Sequence, residues 1–431
     1  MNVAFCTLGC KVNQYETEMM AERFIAHGFV ISAFSEIADV YVINTCIVTQ
    51  MGERKSKQMI QRAKMRNPGA VIVAAGCLPQ SSTDFTNDLP FVDVVVGNIG
   101  KEKVVEHVLN IIHGLQDQVT DVSNIQSEKA YNSADIESFK GRTRAIVKIE
   151  DGCDLYCSYC IIPHIRGRVR SRPVDSVLNE IQLLSENAHK EVVLTGIHIG
   201  SYGKDLEKVS LIDLVERIAL KYPFLRIRLG SLEPNVITSE FIERAKAIEN
   251  LCPHFHLSLQ SGCDETLKRM NRRYNSYQFK TAVNSLRSAF AEAAVTTDII
   301  VGFPGETEEN FIVSYKMVES IRFAKSHIFT YSRRTGTKAA SMPDQILKED
   351  KDRRSKLMHA LSKEHTALFL SSCVGKIFPV LFEEKMSQST YAGFTPNYAE
   401  VRVEGQELTN TLKDVLITDV ENEYCIGNVL A

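Results

Sequence analysis

The chain has 431 residues, 44% of them hydrophobic and 24% charged, with a net charge of −3. That length suits roughly three domains with large buried cores, and the ordinary composition excludes disordered, collagen-like and disulfide-dense small proteins. The near-neutral balance also excludes nucleic-acid binding through bulk charge, so any such binding needs a local basic patch.

The first residues, MNVAFCTLGC, start a strand without the cationic start and apolar run of a signal peptide. No apolar run nears the ~18 residues of a membrane span. Eleven cysteines, an odd number with no secretion signal, argue for reduced thiols serving metal or catalysis. A cytoplasmic protein with no membrane partner is expected.

Strand-like runs in the first block are NVAFCT (2–7), VYVIN (40–44), VIVAAG (71–76) and DVVVG (93–97). Between them lie helical patterns such as Asn13 to Gly28, where glycine is a fitting stop. Continuous apolar strands of this kind predict an open parallel sheet covered on both faces. Cys10, Cys46 and Cys77 each follow one of these strands, within TLGC, INTC and AAGC. Strand ends of such a sheet lie along one ligand-binding edge, so the three thiols could converge on one metal cluster. The equal alternative is three small buried hydrophobes. Residues 114–140, polar and weakly periodic, read as a linker.

A second block begins with RTRAIVKIE (142–150), followed by EVVLTG (191–196), RIRLGS (226–231), FHLSLQ (255–260), VTTDIIVG (295–302) and SHIFTY (326–331). Helical stretches follow most of them, so six βα units predict a partial (β/α) barrel with its chemistry at the C-terminal strand ends. Residues 347–372 read as one long closing helix. After it, short strands and turns predict a small β-barrel. The boundaries expected are 1–135, 136–372 and 373–431.

Just after the first barrel strand stands CDLYCSYC, with Cys153, Cys157 and Cys160. A zinc knuckle is the plain reading of such spacing, but closed zinc sites want four ligands. Soft thiolates at close spacing also suit iron–sulfur clusters, and three ligands on four irons leave one iron open to a substrate. In its place at a barrel strand end, CxxxCxxC resembles the radical S-adenosylmethionine enzymes. TLGCKVNQYET, INTC, AAGCLPQ, CxxxCxxC and a terminal β-barrel together resemble the methylthiotransferases over essentially the whole chain.

That resemblance implies two 4Fe–4S clusters: an auxiliary one on Cys10, Cys46 and Cys77, and a radical one on Cys153, Cys157 and Cys160. It implies S-adenosylmethionine used twice, once as methyl donor to cluster-borne sulfur and once as the source of a hydrogen-abstracting radical. A TRAM domain at the C-terminus, an external electron donor and a sulfur donor are also implied. RTRAIVKIEDGCDLYCSYCIIPHIRGRVRSR, LTGIHIGSYG, MNRRY and DIIVGFPGET look most like the branch acting on N6-threonylcarbamoyladenosine beside the anticodon of transfer RNA. The alternatives are isopentenyl-adenosine in transfer RNA, an aspartate of a ribosomal protein, or a non-enzymatic iron–sulfur protein for electron transfer or RNA binding.

No catalytic side chain is singled out. Contacts to S-adenosylmethionine are expected from strand ends: Thr195 and Gly196, Glu233, Gln260 and Ser261, Val301 and Gly302. Ordinary turn or core structure is the equal alternative for each. GFPGET (302–307) lacks the Lys-Ser/Thr ending of a phosphate loop, so Gly305 more simply turns the chain into a helix. Three basic strips border the cavity: Arg54, Lys55 and Lys57; Arg166, Arg168 and Arg170; and Arg272 with Arg273. They suit the phosphates of an anticodon stem-loop. An Arg among 166, 168, 170, 272 and 273 is the expected partner of the threonyl carboxylate. The tail from Cys373 holds Lys376, Lys385, Arg402 and Lys413 against nine acids, which is unusual for an RNA-binding barrel.

Overall fold

The computed structural model describes residues 1–82, 85–131, 136 and 143–430. Strands β1 (Asn2–Thr7), β2 (Val30–Ser32), β3 (Val40–Thr45), β4 (Val71–Gly76), β5 (Val94–Val96) and β6 (Val119–Asp121) form one sheet in the order β2-β1-β3-β4-β5-β6. All its pairings are parallel. β3, VYVINT, is buried throughout. Val40 and Val42 enter one apolar core with Phe24 of helix α1 (Lys11–Ala26), while Tyr41 and Ile43 enter another with Ile60 of helix α2 (Gln50–Arg66). β1 and β3 are neighbours, and the order runs outward from them in opposite directions, so the sheet changes direction between them. Open α/β sheets bind ligands at that switch point, outside the C-terminal strand ends.

Within 114–140, the described residues 114–131 and 136 are anchored to the rest of the fold. The stretch contains β6, too short and too polar to show a period of two, and it is pinned further on. Ile125 and Ile136 are buried, and Tyr131 Oη donates to the carbonyl of Lys148 at 2.9 Å. The remaining parts of that stretch, 132–135 and 137–140, lie outside the described residues.

The six barrel strands are Arg144–Lys148, Glu191–Thr195, Arg226–Leu229 continuing as Ser231–Leu232, His254–Leu257, Ala294–Val301 and Lys325–Thr330. Gly230 breaks the third, whose first part pairs with strand two and whose second part pairs with strand four. A parallel wall therefore runs from strand one to strand six without the two ends pairing: a partial barrel. Residues 295, 299 and 301 of strand five enter the core under the helices, so 296, 298 and 300 face the lumen.

The helix Lys348–Ser371 closes the barrel, and a closed five-stranded antiparallel-rich barrel follows from Ile377 to Val429. This tail is pinned to the bottom of the central barrel. Arg228 donates to the carbonyl of Pro396 at 2.9 Å, and Arg144 pairs with Glu383 at 2.6 Å. Tyr398 inserts between, with its ring 4.8 Å from those of both Phe394 and His254 and guanidiniums of Arg144 and Arg228 over it.

Candidate metal centres and cofactor site

Cys10, Cys46 and Cys77 stand at the C-terminal ends of β1, β3 and β4, three adjacent strands beside the switch point. Cys10 caps the start of α1, and Gly76, at φ +96°, turns the chain so that Cys77 starts a helix. Gly9, at φ +100°, lies so close to Cys46 that a Cβ there would meet its Sγ at 2.8 Å. Packing thus draws the loops together. Burial pushes the Cys46 thiol up to about 11, with Cys77 and Cys10 adding to the rise. Cys77 is also raised by burial, with Arg166 and Lys101 pulling the other way.

Cys153, Cys157 and Cys160 lie in the loop after the first barrel strand. Burial, reinforced by the neighbouring thiols, pushes Cys153 and Cys160 up to about 12. Arg272 donates to Cys157 Sγ at 3.2 Å, and its other nitrogen pairs with Glu233 at 2.5 Å. Each triad offers three thiols, one fewer than a closed zinc site takes, which suits a four-iron cluster with one iron left open. The cations beside each triad offset the charge such a cluster carries.

Between the triads lies a buried charge network. Glu16 of α1 meets Lys101, Lys148 at 2.9 Å and Arg166 at 2.9 Å; Asp151 meets Lys148 at 2.7 Å and Arg166 at 3.0 Å. Arg166 also donates to Asn13 at 2.8 Å. Burial alone would raise the two carboxyls, but Arg166 and the lysines hold Glu16 well below the carboxylate range, and Arg166, Lys148 and Arg170 do the same for Asp151. Four cations face two acids, and the surplus is positive beside Cys77.

This corrects three expected surface contacts. Arg166 is 0% exposed and Arg170 3%, the latter spent on the carbonyls of Arg166 and Arg168; neither can reach an RNA phosphate. Arg272 is committed to Cys157 and Glu233. Local basic spacing could not reveal partners that sit far away in the chain. Arg168, Arg273, Arg54 and Lys55 are exposed, while Lys57 leans on Glu53, which is held by Arg334 at 2.6 Å.

Of the strand-end residues, Glu233 is tied to the second triad, through Arg272. Thr195 and Ser261 are buried, Glu233 is gripped by Arg272 and lies 3.6 Å from His198, and Gln260 has a left-handed backbone at φ +65°. Val301 is buried, and Gly302, at φ +73°, donates its N–H to Glu306 Oε2 at 2.6 Å. A Cβ on Gly305 would strike Arg269, so GFPGET is a tight turn, and the following helix is capped by Thr307. A cavity of about 520 Å³ opens here beside Leu155, His198, Glu233 and Arg273.

Glu150 was not anticipated from the sequence. It is fully buried, its Oε2 accepts the N–H of His198 at 2.7 Å, and its Oε1 has no hydrogen-bond partner. Burial holds its pKa well above the carboxylate range. A Cβ on Gly196 would lie 2.6 Å from Glu150 Oε2, so glycine is required there. An orphaned carboxyl oxygen near Cys153 fits the ammonium group of an amino-acid-bearing cofactor. Its signal in the sequence was a charged residue directly after an apolar strand.

Residues 147–318 match the Radical SAM superfamily and residues 2–97 match the uncharacterized protein family UPF0004. The threonylcarbamoyladenosine tRNA methylthiotransferase MtaB of Bacillus subtilis (strain 168) is 40% identical over 94% of this chain and 91% of its own. MtaB of Thermotoga maritima is 36% identical over 91% and 89%. A tRNA-2-methylthio-N(6)-dimethylallyladenosine synthase of Methylacidiphilum infernorum is 35% identical over 90% and 86%. Among solved structures, the radical S-adenosylmethionine methyltransferase TsrM from Kitasatospora setae superposes with a TM-score of 0.56 at 13% identity, covering 79% of this chain and 77% of that one, a likeness of fold alone. With its two cysteine triads at the strand ends of two α/β units, the chain belongs to the methylthiotransferase family of radical S-adenosylmethionine proteins, of the MtaB type.

Proposed function

We propose that this chain converts N6-threonylcarbamoyladenosine next to the anticodon of transfer RNA to its 2-methylthio derivative. One observation carries the two-cluster reading. A cavity of about 500 Å³ is lined by Ile47, Leu78 and Ile161, the residues that directly follow Cys46, Cys77 and Cys160. The helix starting at Cys77 packs against the helix Ile162–Arg166, and Asn98 Nδ2 donates to the carbonyl of Ile165 at 2.7 Å. Residues beside Cys46 and Cys77 of the first triad and beside Cys160 of the second therefore line one cavity, which supports this reading.

Cys10, Cys46 and Cys77 hold the auxiliary 4Fe–4S cluster in this reading, and Cys153, Cys157 and Cys160 the radical one. When bound, the clusters and S-adenosylmethionine supply one-electron cleavage of a sulfonium and a carrier for sulfur. The chain supplies placement. Arg272 steadies Cys157 and aims Glu233, and Glu150 with Thr195 and Gly196 receives the polar end of S-adenosylmethionine. Gln260, Ser261 and Gly302 close its sides, Val301 facing the helices instead, and the apolar walls keep water out. Arg54, Lys55, Arg168 and Arg273 are the cations free to track an anticodon stem-loop. An external electron donor and a sulfur donor complete the reaction, and the setting is cytoplasmic; among the described residues no helix is long and apolar enough to cross a membrane.

Mass spectrometry of nucleosides from a deletion strain tests the substrate. Loss of 2-methylthio-threonylcarbamoyladenosine, restored by the intact gene, is expected. Its persistence alongside loss of the isopentenyl product would move the assignment to the other branch.

A further inference from the structure

The barrel lumen holds a polar cluster that neither triad uses. Strands four, five and six present His256, Asp298 and His327 side by side, Asp298 and His327 opposite each other in register. The ring nitrogens and carboxylate oxygen lie within 4.8 Å of one another. His256 Nε2 is 3.3 Å from Asp298 Oδ2, and its Nδ1 is 3.0 Å from Thr296 Oγ1. His327 is exposed and Asp298 half-buried, so the cluster is open to a visitor. Two residues nearer the C-terminal strand ends, Ile300 and Phe329 are also opposite in register, and Phe329 is 49% exposed: a flat apolar surface above the polar floor.

Lys11, the exposed first residue of α1, borders a cavity next to this floor. Tyr398 lines that cavity with it and lies 4.8 Å from the ring of His254, which shares Thr296 Oγ1 with His256. Lys11 directly follows Cys10, its charge acts on both His254 and His327, and it lines a cavity of about 480 Å³ with Gln14, Arg144, Val193, Glu383 and Tyr398. The neighbouring cations are spoken for. Arg144 pairs with Glu383 at 2.6 Å, and Arg226 and Arg228 share Glu191 at 2.9 and 2.7 Å. Lys11 has no carboxylate within 4.0 Å among the described residues. A single unpaired ammonium beside a hydrogen-bonding cluster is complementary to a group bearing both a carboxylate and a hydroxyl.

We propose that Lys11, His256, Asp298 and His327 form the pocket for the amino-acid substituent of the target adenosine. Lys11 takes the carboxylate, Asp298 and His327 engage the hydroxyl and ureido groups, and the base lies against Phe329. The proposal rests on the threonylcarbamoyl reading and deepens it, replacing the arginines expected from the sequence. An isopentenyl group would leave Lys11 and Asp298 unpaired on burial. A site built for hydrogen bonds rejects an analogue lacking them by roughly 10⁴-fold.

The test uses reconstituted holoenzyme and anticodon stem-loops whose modified adenosine carries the threonyl acid, its neutral carboxamide, or an isopentenyl group. Wild type should prefer the acid over the amide by on the order of 100-fold in kcat/KM, a buried charge pair's contribution. Lys11→Ala should erase that preference with unchanged iron content and continued 5′-deoxyadenosine release, and Lys11→Arg should restore part of it. His327→Phe should lower methylthiolation of the acid and raise that of the isopentenyl substrate. Wild-type failure on every threonyl substrate would overturn the substrate reading and the pocket with it. An unaltered acid-over-amide preference in Lys11→Ala would overturn the pocket alone. So would one equivalent of zinc in wild type that His327→Phe removes, which would make the cluster a metal site.

Discussion

Replacing Glu16 with Gln should be the most damaging single change at the junction between the N-terminal sheet and the barrel. Glu16 is 3% exposed and contacts Lys101, Lys148 and Arg166 at once. Its neutral amide leaves those three cations and Arg170 facing Asp151 alone. Breaking one buried pair by removing one partner costs about 3–5 kcal/mol, and here three pairs share the lost charge. Arg166→Met should cost less, because Lys101, Lys148 and Arg170 remain to neutralise Glu16 and Asp151. At roughly 1 °C per kcal/mol for a chain of this size, Glu16→Gln should melt about 3–5 °C below wild type. The assay is thermal unfolding of the clustered protein under argon, with Glu36→Gln as an exposed control. A Glu16→Gln midpoint within 2 °C of wild type, or above that of Arg166→Met, would refute the reasoning.

The same network sets an acid limit. Folded-state pKa values of Glu16 and Asp151 are depressed, so their contribution is fully present above the unfolded values of about 4.3 and 3.9 and is lost as pH falls further; melting temperature should hold at pH 5 and drop below pH 4. Changing Cys153, Cys157 and Cys160 to Ala should lower bound iron from about eight to about four per chain, read by iron assay against a circular dichroism check of folding. Cys46→Ala should still release 5′-deoxyadenosine but form no methylthio product, and retained product would remove the auxiliary-cluster assignment. Arg272→Ala withdraws a donor from Cys157, so the radical cluster's midpoint potential, measured by EPR-monitored titration, should fall. Arg54→Ala and Lys55→Ala should each weaken stem-loop binding uniformly across sequences and reduce the salt slope by about one contact.

Much of the architecture was legible because apolar strands and helical periods are local signals. β3 and β4 could be read from VYVIN and VIVAAG, and the six barrel strands from their β-branched runs. Cys153, Cys157 and Cys160 stood out by spacing, whereas the strand-end positions of Cys10, Cys46 and Cys77 left a cluster and buried hydrophobes equal, and only the family resemblance grouped them. β6 was hidden by its polarity within a polar stretch. Arg166 was misjudged because a basic strip looks the same whether its partners are phosphates or acids. Its partner Glu16 lies 150 positions away, and burial is a property of the folded pair. Lys11 escaped notice for the same reason, since His327 and Asp298 come from the far end of the barrel.

Tyr398, wedged between Phe394 and His254 beneath two guanidiniums, removes the freedom that a tethered tail would have. Arg144 from strand one and Arg226 and Arg228 from strand three clamp the terminal barrel, through contacts to Glu383 and to the carbonyls of Phe394 and Pro396. The terminal barrel therefore moves with the central one as a single piece, its outer surface held at a set distance and angle from the strand starts.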